Sequence, residues 1–228
     1  MANSSGVPNR PAHNAPVLVI GLGRFGAATA EQLVKQGREV LAIERDRTLV
    51  QNWASVLTHV VEADATNIDA LRQLGAQEFS SAVVGVGTSI ESSVLITVNL
   101  VDLGIEHLWV KAITASHGKI LTRIGANHVI YPEADAGVRA AHLVSGRMLD
   151  FIEFDDDFAI VKMYPPKETV GFTLDESKVR SKYGVTIVGV KSPGEDFTYA
   201  RPDTKVSGRD MLIVSGHVDL LERFAARP

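Results

Sequence analysis

The chain has 228 residues, 45% of them hydrophobic, and a formal net charge of −4. That length allows one large domain or two modest ones with ordinary packed cores, and the charge gives no electrostatic support for wrapping nucleic acid, which favours a basic face. No cysteine is present, which removes disulfides, thiolate metal sites and thiol nucleophiles from this chain and fits a reducing compartment.

Residues 1–15, rich in Asn, Ser, Pro and Ala, read as a disordered leader and not a signal peptide. The apolar run Val17 to Ile20 followed by Gly21-Leu-Gly23-Arg24-Phe25-Gly26 reads as a buried parallel strand turning into a helix from about Ala27 to Gln36, stopped by Gly37. In that context the G-x-G-x-x-G spacing makes an anion site. Gly21 permits the turn, Gly23 lets the backbone approach a diphosphate, and Gly26 lets helix and strand pack.

Further strands are expected at Glu39 to Glu44, Thr58 to Asp64, Ala82 to Gly87, His107 to Lys111 and His128 to Tyr131, separated by helical stretches. Such alternation implies right-handed crossovers and a Rossmann-type parallel sheet over residues 16–132. The most apolar region, Val94 to Ile105, is interrupted by Asn99 and Asp102 and is too short to span a bilayer. Residues 133–150 read as a connector helix. Strands at Phe158 to Met163, Val185 to Val190 and Met211 to Val214, with turn signals between them, make residues 151–228 a small α+β domain. A core that small is expected to pair with a copy of itself.

Several side chains could carry chemistry. Glu44, about twenty residues beyond the glycine loop, can accept from ribose hydroxyls and would repel a 2′-phosphate, although Arg45 beside it keeps NADP open; otherwise Glu44 is a solvated strand end. Asp64 follows the third strand, where a base would lie, or else Asp64 or Thr66 caps the helix beginning near Asn67. Arg24 can reach phosphate oxygens and suits a triphosphate; an exposed arginine at a helix start is the plainer reading.

Enzymatic patterns do not fit. Gly26 is followed by Ala27 and Ala28, so the lysine and hydroxyl of a hydrolysing P-loop are missing. Tyr131, Tyr164, Tyr183 and Tyr199 are followed four residues on by Asp135, Glu168, Ile187 and Asp203, none of them the lysine of a short-chain dehydrogenase. The seven histidines are scattered without ligand spacing, and Asp155-Asp-Asp157 reads as a solvated turn.

The glycine loop, the Glu39 to Glu44 strand, Trp109-Val-Lys111, the run from Ile124 through Glu133 to Asp135 and Val179-Arg-Ser-Lys-Tyr-Gly184 together resemble the KtrA/TrkA family, cytosolic regulatory subunits of bacterial potassium uptake systems. The resemblance runs from about Val17 to Phe224. It implies an N-terminal nucleotide-binding RCK domain and a C-terminal RCK domain, with homodimers assembling to an octameric ring on a membrane-embedded, KtrB/TrkH-like potassium-translocating subunit. It places the protein in the cytoplasm, on the inner face of the membrane through that partner.

By position, the resemblance implies that Gly21, Gly23 and Gly26 cradle phosphates, Glu44 holds the ribose and Arg24 reaches a terminal phosphate. Phe25, Arg45, Asp64, Ala65 and Lys111 join the nucleotide set. Glu133 matches a position that coordinates a cation such as Mg2+ beside the phosphates of ATP. Val179, Arg180 and Pro202 match positions that bind cyclic di-AMP in some relatives, with Val185 and Thr186 standing where polar residues are expected. The resulting expectation is a non-enzymatic subunit that senses ATP or ADP. The rival is an NAD(H)-dependent oxidoreductase.

Overall fold

A computed structural model describes residues 14–144, 148–154 and 156–227. It divides between Glu133 and Ala134 into two compact units. All but two residues of the expected leader lie outside the described residues, as does Asp155; Ala15 is held at its carbonyl, which accepts from the Arg38 guanidinium.

The first unit alternates strand and helix in chain order: β1 (Val17–Ile20), α1 (Arg24–Lys35), β2 (Val40–Glu44), α2 (Arg47–Trp53), β3 (His59–Glu62), α3 (Ile68–Gln73), β4 (Ser81–Val84), α4 (Ile90–Asp102), β5 (His107–Lys111), α5 (Ala115–Arg123) and β6 (His128–Ile130). The strands form one sheet in the order β3-β2-β1-β4-β5-β6, and every pairing is parallel. Each β1 residue is buried, which is why the strand reads as a continuous apolar run. Its two faces serve different cores. Leu18 and Ile20 pack with Leu71 of α3, Ile96 and Leu100 of α4 and Leu121 of α5, whereas Val17 and Val19 pack with Ala30 and Leu33 of α1 and Leu49 and Trp53 of α2. The β1-to-β4 step reverses the direction in which strands are added, and in open sheets a crevice forms at the carboxyl ends there.

The helix α6 (Pro132–Val144) follows. The second unit then continues through β7 (Met148–Glu153), β8 (Phe158–Met163), α7 (Leu174–Ser177), α8 (Val179–Tyr183), β9 (Thr186–Lys191), β10 (Thr198–Tyr199), β11 (Met211–His217) and α9 (Val218–Ala225). Its sheet runs β10-β9-β11-β8-β7, all antiparallel. Leu221 and Phe224 of α9 pack with Val161, Val185, Leu212 and Val214.

The connector helix therefore ends earlier than the spacing suggests. Met148, placed on a helix by its spacing, begins β7, because Phe151 and Ile152 pair with Val161 and Ile160 across the strand boundary. Such a pairing partner is invisible in a local pattern.

Candidate functional site

The glycine loop occupies the turn between β1 and α1, and its three glycines have different reasons for being there. Gly21 has φ +88°, a left-handed conformation that a side chain resists. At Gly26 a Cβ would lie 1.9 Å from the Gly21 carbonyl oxygen, so the helix could not approach the strand. Gly85, at the end of β4, completes this contact: a Cβ there would stand 3.0 Å from the Gly26 Cα.

Gly23 is not required by the protein itself. Its φ of −62° suits any residue, and a Cβ there would meet nothing within 4 Å. The free space above Gly23 is where a ligand's phosphates would approach the backbone.

Helix α1 also starts without a cap. Asp46, Asn67, Ser89 and Thr114 each accept a backbone N–H at the starts of α2, α3, α4 and α5, whereas Gly23 supplies no side chain and the first turn of α1 has no acid. The exposed Arg24 adds positive charge at the positive end of the helix dipole. This arrangement attracts an anion.

Glu44 is more than a solvated strand end. Its Oε2 accepts from the Leu22 N–H at 2.6 Å, and its Oε1 accepts from the Arg45 and Asp46 N–H groups at 2.8 and 2.9 Å. One carboxylate thus ties the glycine loop to the β2–α2 turn, and the extra methylene of Glu over Asp provides that reach. Three of its roughly four acceptor positions are used, which leaves one for a ribose hydroxyl.

A cleft of ≈ 250 Å³ lies along the carboxyl ends of the strands, lined by Gly21, Gly23, Glu44, Arg45, Asp64 and Gly87 among others. Asp64 is exposed. Its Oδ1 accepts from the Thr66 N–H at 2.9 Å and hydroxyl at 2.7 Å. The hydroxyl bond, then the backbone bond, holds its carboxyl below the usual carboxylate range, helped by Arg45. The cap of α3 is Asn67, not Asp64 or Thr66. Ala65 is buried in the main core, and Asn99 of α4 donates to the Ala65 and Thr66 carbonyls at 3.3 and 2.9 Å, fixing this rim.

Phe25 packs half-buried against the α1–α2 side of the core. Lys111, at the end of β5, lies across Gly87: a Cβ on that glycine would be 3.2 Å from the lysine Cε and Nζ. Its amine donates to Glu133 Oε1 at 2.5 Å. That hydrogen bond is the largest cause holding the Glu133 carboxyl below its ordinary value, with Lys111 and Arg24 adding attraction. Among the described residues no group of three His, Asp or Glu could hold a metal ion. Here the Glu133 carboxylate is paired with the Lys111 ammonium.

In the second unit Val179 is buried in the core, so its side chain is not offered to a ligand. Arg180 and Pro202 are exposed. The structure thus gathers Gly21, Gly23, Glu44, Arg45, Asp64 and Ala65 around one cleft, with Lys111 over Gly87 and paired to Glu133 at its end. Gly85 and Asn99 were not expected as site residues. A glycine ending the strand beside the first one was the available signal for Gly85; the reach of Asn99 to the rim is a tertiary fact.

The sheet order and the turn between β1 and α1 define a Rossmann-type domain, here followed by a small antiparallel domain. The TrkA-N domain family model matches residues 17–132 and the TrkA-C domain model residues 158–227. The Ktr system potassium uptake protein A of Bacillus subtilis is 36% identical over 212 residues, covering 92% of this chain and 96% of that protein. Protein C of the same organism is 36% identical over 210 residues, covering 92% and 95%. This chain belongs to the KtrA/TrkA family.

Solved structures agree on the fold. The GsuK RCK domain matches with a TM-score of 0.65 at 16% identity, covering 100% of this chain and 51% of that one, so the chain spans about half its length. The GsuK channel bound to NAD matches with a TM-score of 0.64 at 17% identity, covering 97% and 41%.

Proposed function

We propose that this protein is a non-enzymatic regulatory subunit of a potassium uptake system that senses an adenine nucleotide in the cleft over β1, β2 and β4. The observation that carries the nucleotide reading is Gly23, whose lack of a side chain answers to no need of the protein. The family supports the regulatory reading, since relatives matched over nearly their whole length are named as Ktr potassium uptake proteins.

In this reading the α1 N–H groups and Arg24 take the phosphates, the remaining acceptor position of Glu44 takes the ribose, and the base lies near Asp64 and Ala65. Nucleotide moves a conformational equilibrium only through contacts that differ between two states. ATP has one phosphate more than ADP to offer Arg24 and the end of the cleft, so the two ligands favour different states.

The family resemblance adds a homodimer that builds an octameric ring on a KtrB/TrkH-like membrane subunit. Exposed Ile152, Phe154, Phe158 and Tyr199 on or beside the C-terminal sheet support self-association. Among the described residues no helix is long and apolar enough to cross a membrane, which fits peripheral attachment through the partner. A cation beside the phosphates would take its ligands chiefly from the nucleotide and water. Cyclic di-AMP would meet the exposed Arg180 and Pro202.

The test is potassium flux into vesicles holding the membrane subunit and this protein, with ATP, ADP or neither. Different fluxes are expected with the two nucleotides; equal fluxes in all three conditions would refute sensing. Thermal shifts with ATP, ADP, NAD, NADH and cyclic di-AMP identify the ligand, a gain of about 2.7 kcal/mol being expected at a hundred times the dissociation constant. Stabilisation by NADH alone, with turnover, would favour the oxidoreductase reading.

A further inference from the structure

Helix α5 is held at its start by a histidine. His117 is buried, and its Nδ1 accepts from the Ile113 N–H at 3.3 Å, in the turn that joins β5 to α5. The His117 N–H donates to the Thr114 hydroxyl at 3.1 Å, and the Gly118 N–H donates to the Thr114 carbonyl at 3.0 Å. Gly118 in turn makes room for Tyr131: a Cβ on that glycine would lie 1.8 Å from the tyrosine hydroxyl oxygen. Tyr131 follows β6 and directly precedes α6. Residues 113–118 thus carry a turn, a helix start and the resting place of the residue from which the connector helix departs.

The hydrogen bond at Nδ1 fixes the state of the ring. A nitrogen that accepts carries no proton, so the neutral imidazole has its single proton on Nε2. That nitrogen is buried with no partner among the described residues. The elements around α5 bring apolar groups to this side. β5 and β6 turn Leu108, Val110 and Val129 toward the same core, while the stacked Trp109 and His128 lie on the sheet's other face. Glu91 and Asp102 of α4 and Lys119 and Arg123 of α5 are exposed, which leaves half-buried Tyr131 as the nearby titratable side chain packed on this core. A second proton has one place to go, Nδ1, where it would point at the Ile113 N–H. Two donors then face each other, and the imidazolium charge is buried without an acceptor. Burial accordingly pushes the pKa of His117 below its ordinary value.

We propose that His117 is an acid-released latch on the β5–α5 turn. Neutral, it holds the turn closed; protonated at Nδ1 by a proton from solvent, it releases the Ile113 N–H, and the first turn of α5 opens to hydrate the ring and unseats Tyr131 ahead of α6. The closed form binds one proton fewer than the open form, so acid favours opening, and the rise begins near pH 6.5, where an exposed histidine titrates. The opening is local and requires no nucleotide.

Hydrogen exchange of the full chain without ligand, read by mass spectrometry in peptides covering residues 112–118 and β1, tests this on the wild type and His117→Asn. Asparagine can accept from the Ile113 N–H but does not titrate. In the wild type the 112–118 protection factor should fall about tenfold between pH 7.5 and pH 5.5, and it should lie below that of β1 at each pH. In the His117→Asn protein it should change by less than about twofold over the same range. Wild-type protection of residues 112–118 that does not vary with pH would overturn the proposal. Protection equal to that of β1 throughout would also overturn it, since acid would then act only through global unfolding. Both of these results come from the wild type and stand whether or not the variant folds. A tenfold loss repeated in a folded His117→Asn protein would assign the acid response to another group and overturn the latch.

Discussion

The substitution Gly23→Ala separates ligand binding from folding. At φ −62° alanine is unstrained, and its Cβ would meet nothing within 4 Å. Reduced freedom in the unfolded chain gives back about 0.4–1 kcal/mol, against a comparable loss because alanine is a poorer N-cap than glycine. Stability should therefore change by less than about 1 kcal/mol, roughly 4 °C in melting temperature for a unit of this size. Binding should suffer far more. The methyl group would stand in the space the phosphates need and deny them about two backbone N–H bonds, each worth about 1.5–3 kcal/mol to a charged acceptor. Affinity for ATP should fall by a factor on the order of 10² to 10⁴. Differential scanning calorimetry gives the first quantity and isothermal titration the second. Gly26→Ala is the contrast, since its Cβ would collide with the Gly21 oxygen at 1.9 Å, and it should lower stability outright. Wild-type ATP affinity in a folded Gly23→Ala protein would refute the assignment of the loop.

Three further outcomes follow from single contacts. Glu44→Gln keeps one acceptor oxygen and sets an amide against the N–H groups on the other side, so the N-terminal unit should lose about 2–3 kcal/mol; a melting temperature unchanged within 2 °C would show that the loop does not depend on this tie. Burial lowers the pKa of His117, whose Nδ1 accepts from the Ile113 N–H and whose buried Nε2 has no partner among the described residues. The unfolded chain then takes up the proton first as pH falls, so stability is full above about pH 6.5 and declines below it until the folded form also titrates. His117→Asn can keep the Ile113 bond and should flatten that decline, as read by denaturant unfolding between pH 7 and 5. Lys178, exposed with φ 49° between α7 and α8, should gain about 0.5–1 kcal/mol on replacement by glycine, the left-handed penalty removed outweighing the added chain entropy; a lower melting temperature of the C-terminal unit would contradict this.

The parallel sheet was legible because its determinants are local and repeated. Apolar runs such as Val17 to Ile20, broken by glycine and followed by helical spacing, allow few arrangements other than strand–helix–strand crossovers. The G-x-G-x-x-G spacing likewise located the turn, and the acid at position 44 fell where a strand end must lie. For the second unit the strands at Phe158 and Met211 were readable, but β7 was not, since its identity comes from pairing with β8 and not from its own residues. Only the tertiary structure decided what each of these residues touches. It showed Gly26 fixed by a backbone oxygen and Gly23 by nothing in the protein, although both are one letter in the same motif. It showed the Glu44 carboxylate divided between two loops, Asn99 reaching the rim from α4, and Lys111 joined to Glu133 across twenty-two residues of chain. Sequence sets which segments fold locally because hydrophobic period and turn chemistry act over a few residues; contacts between distant side chains exist only once the sheet has brought strand ends together.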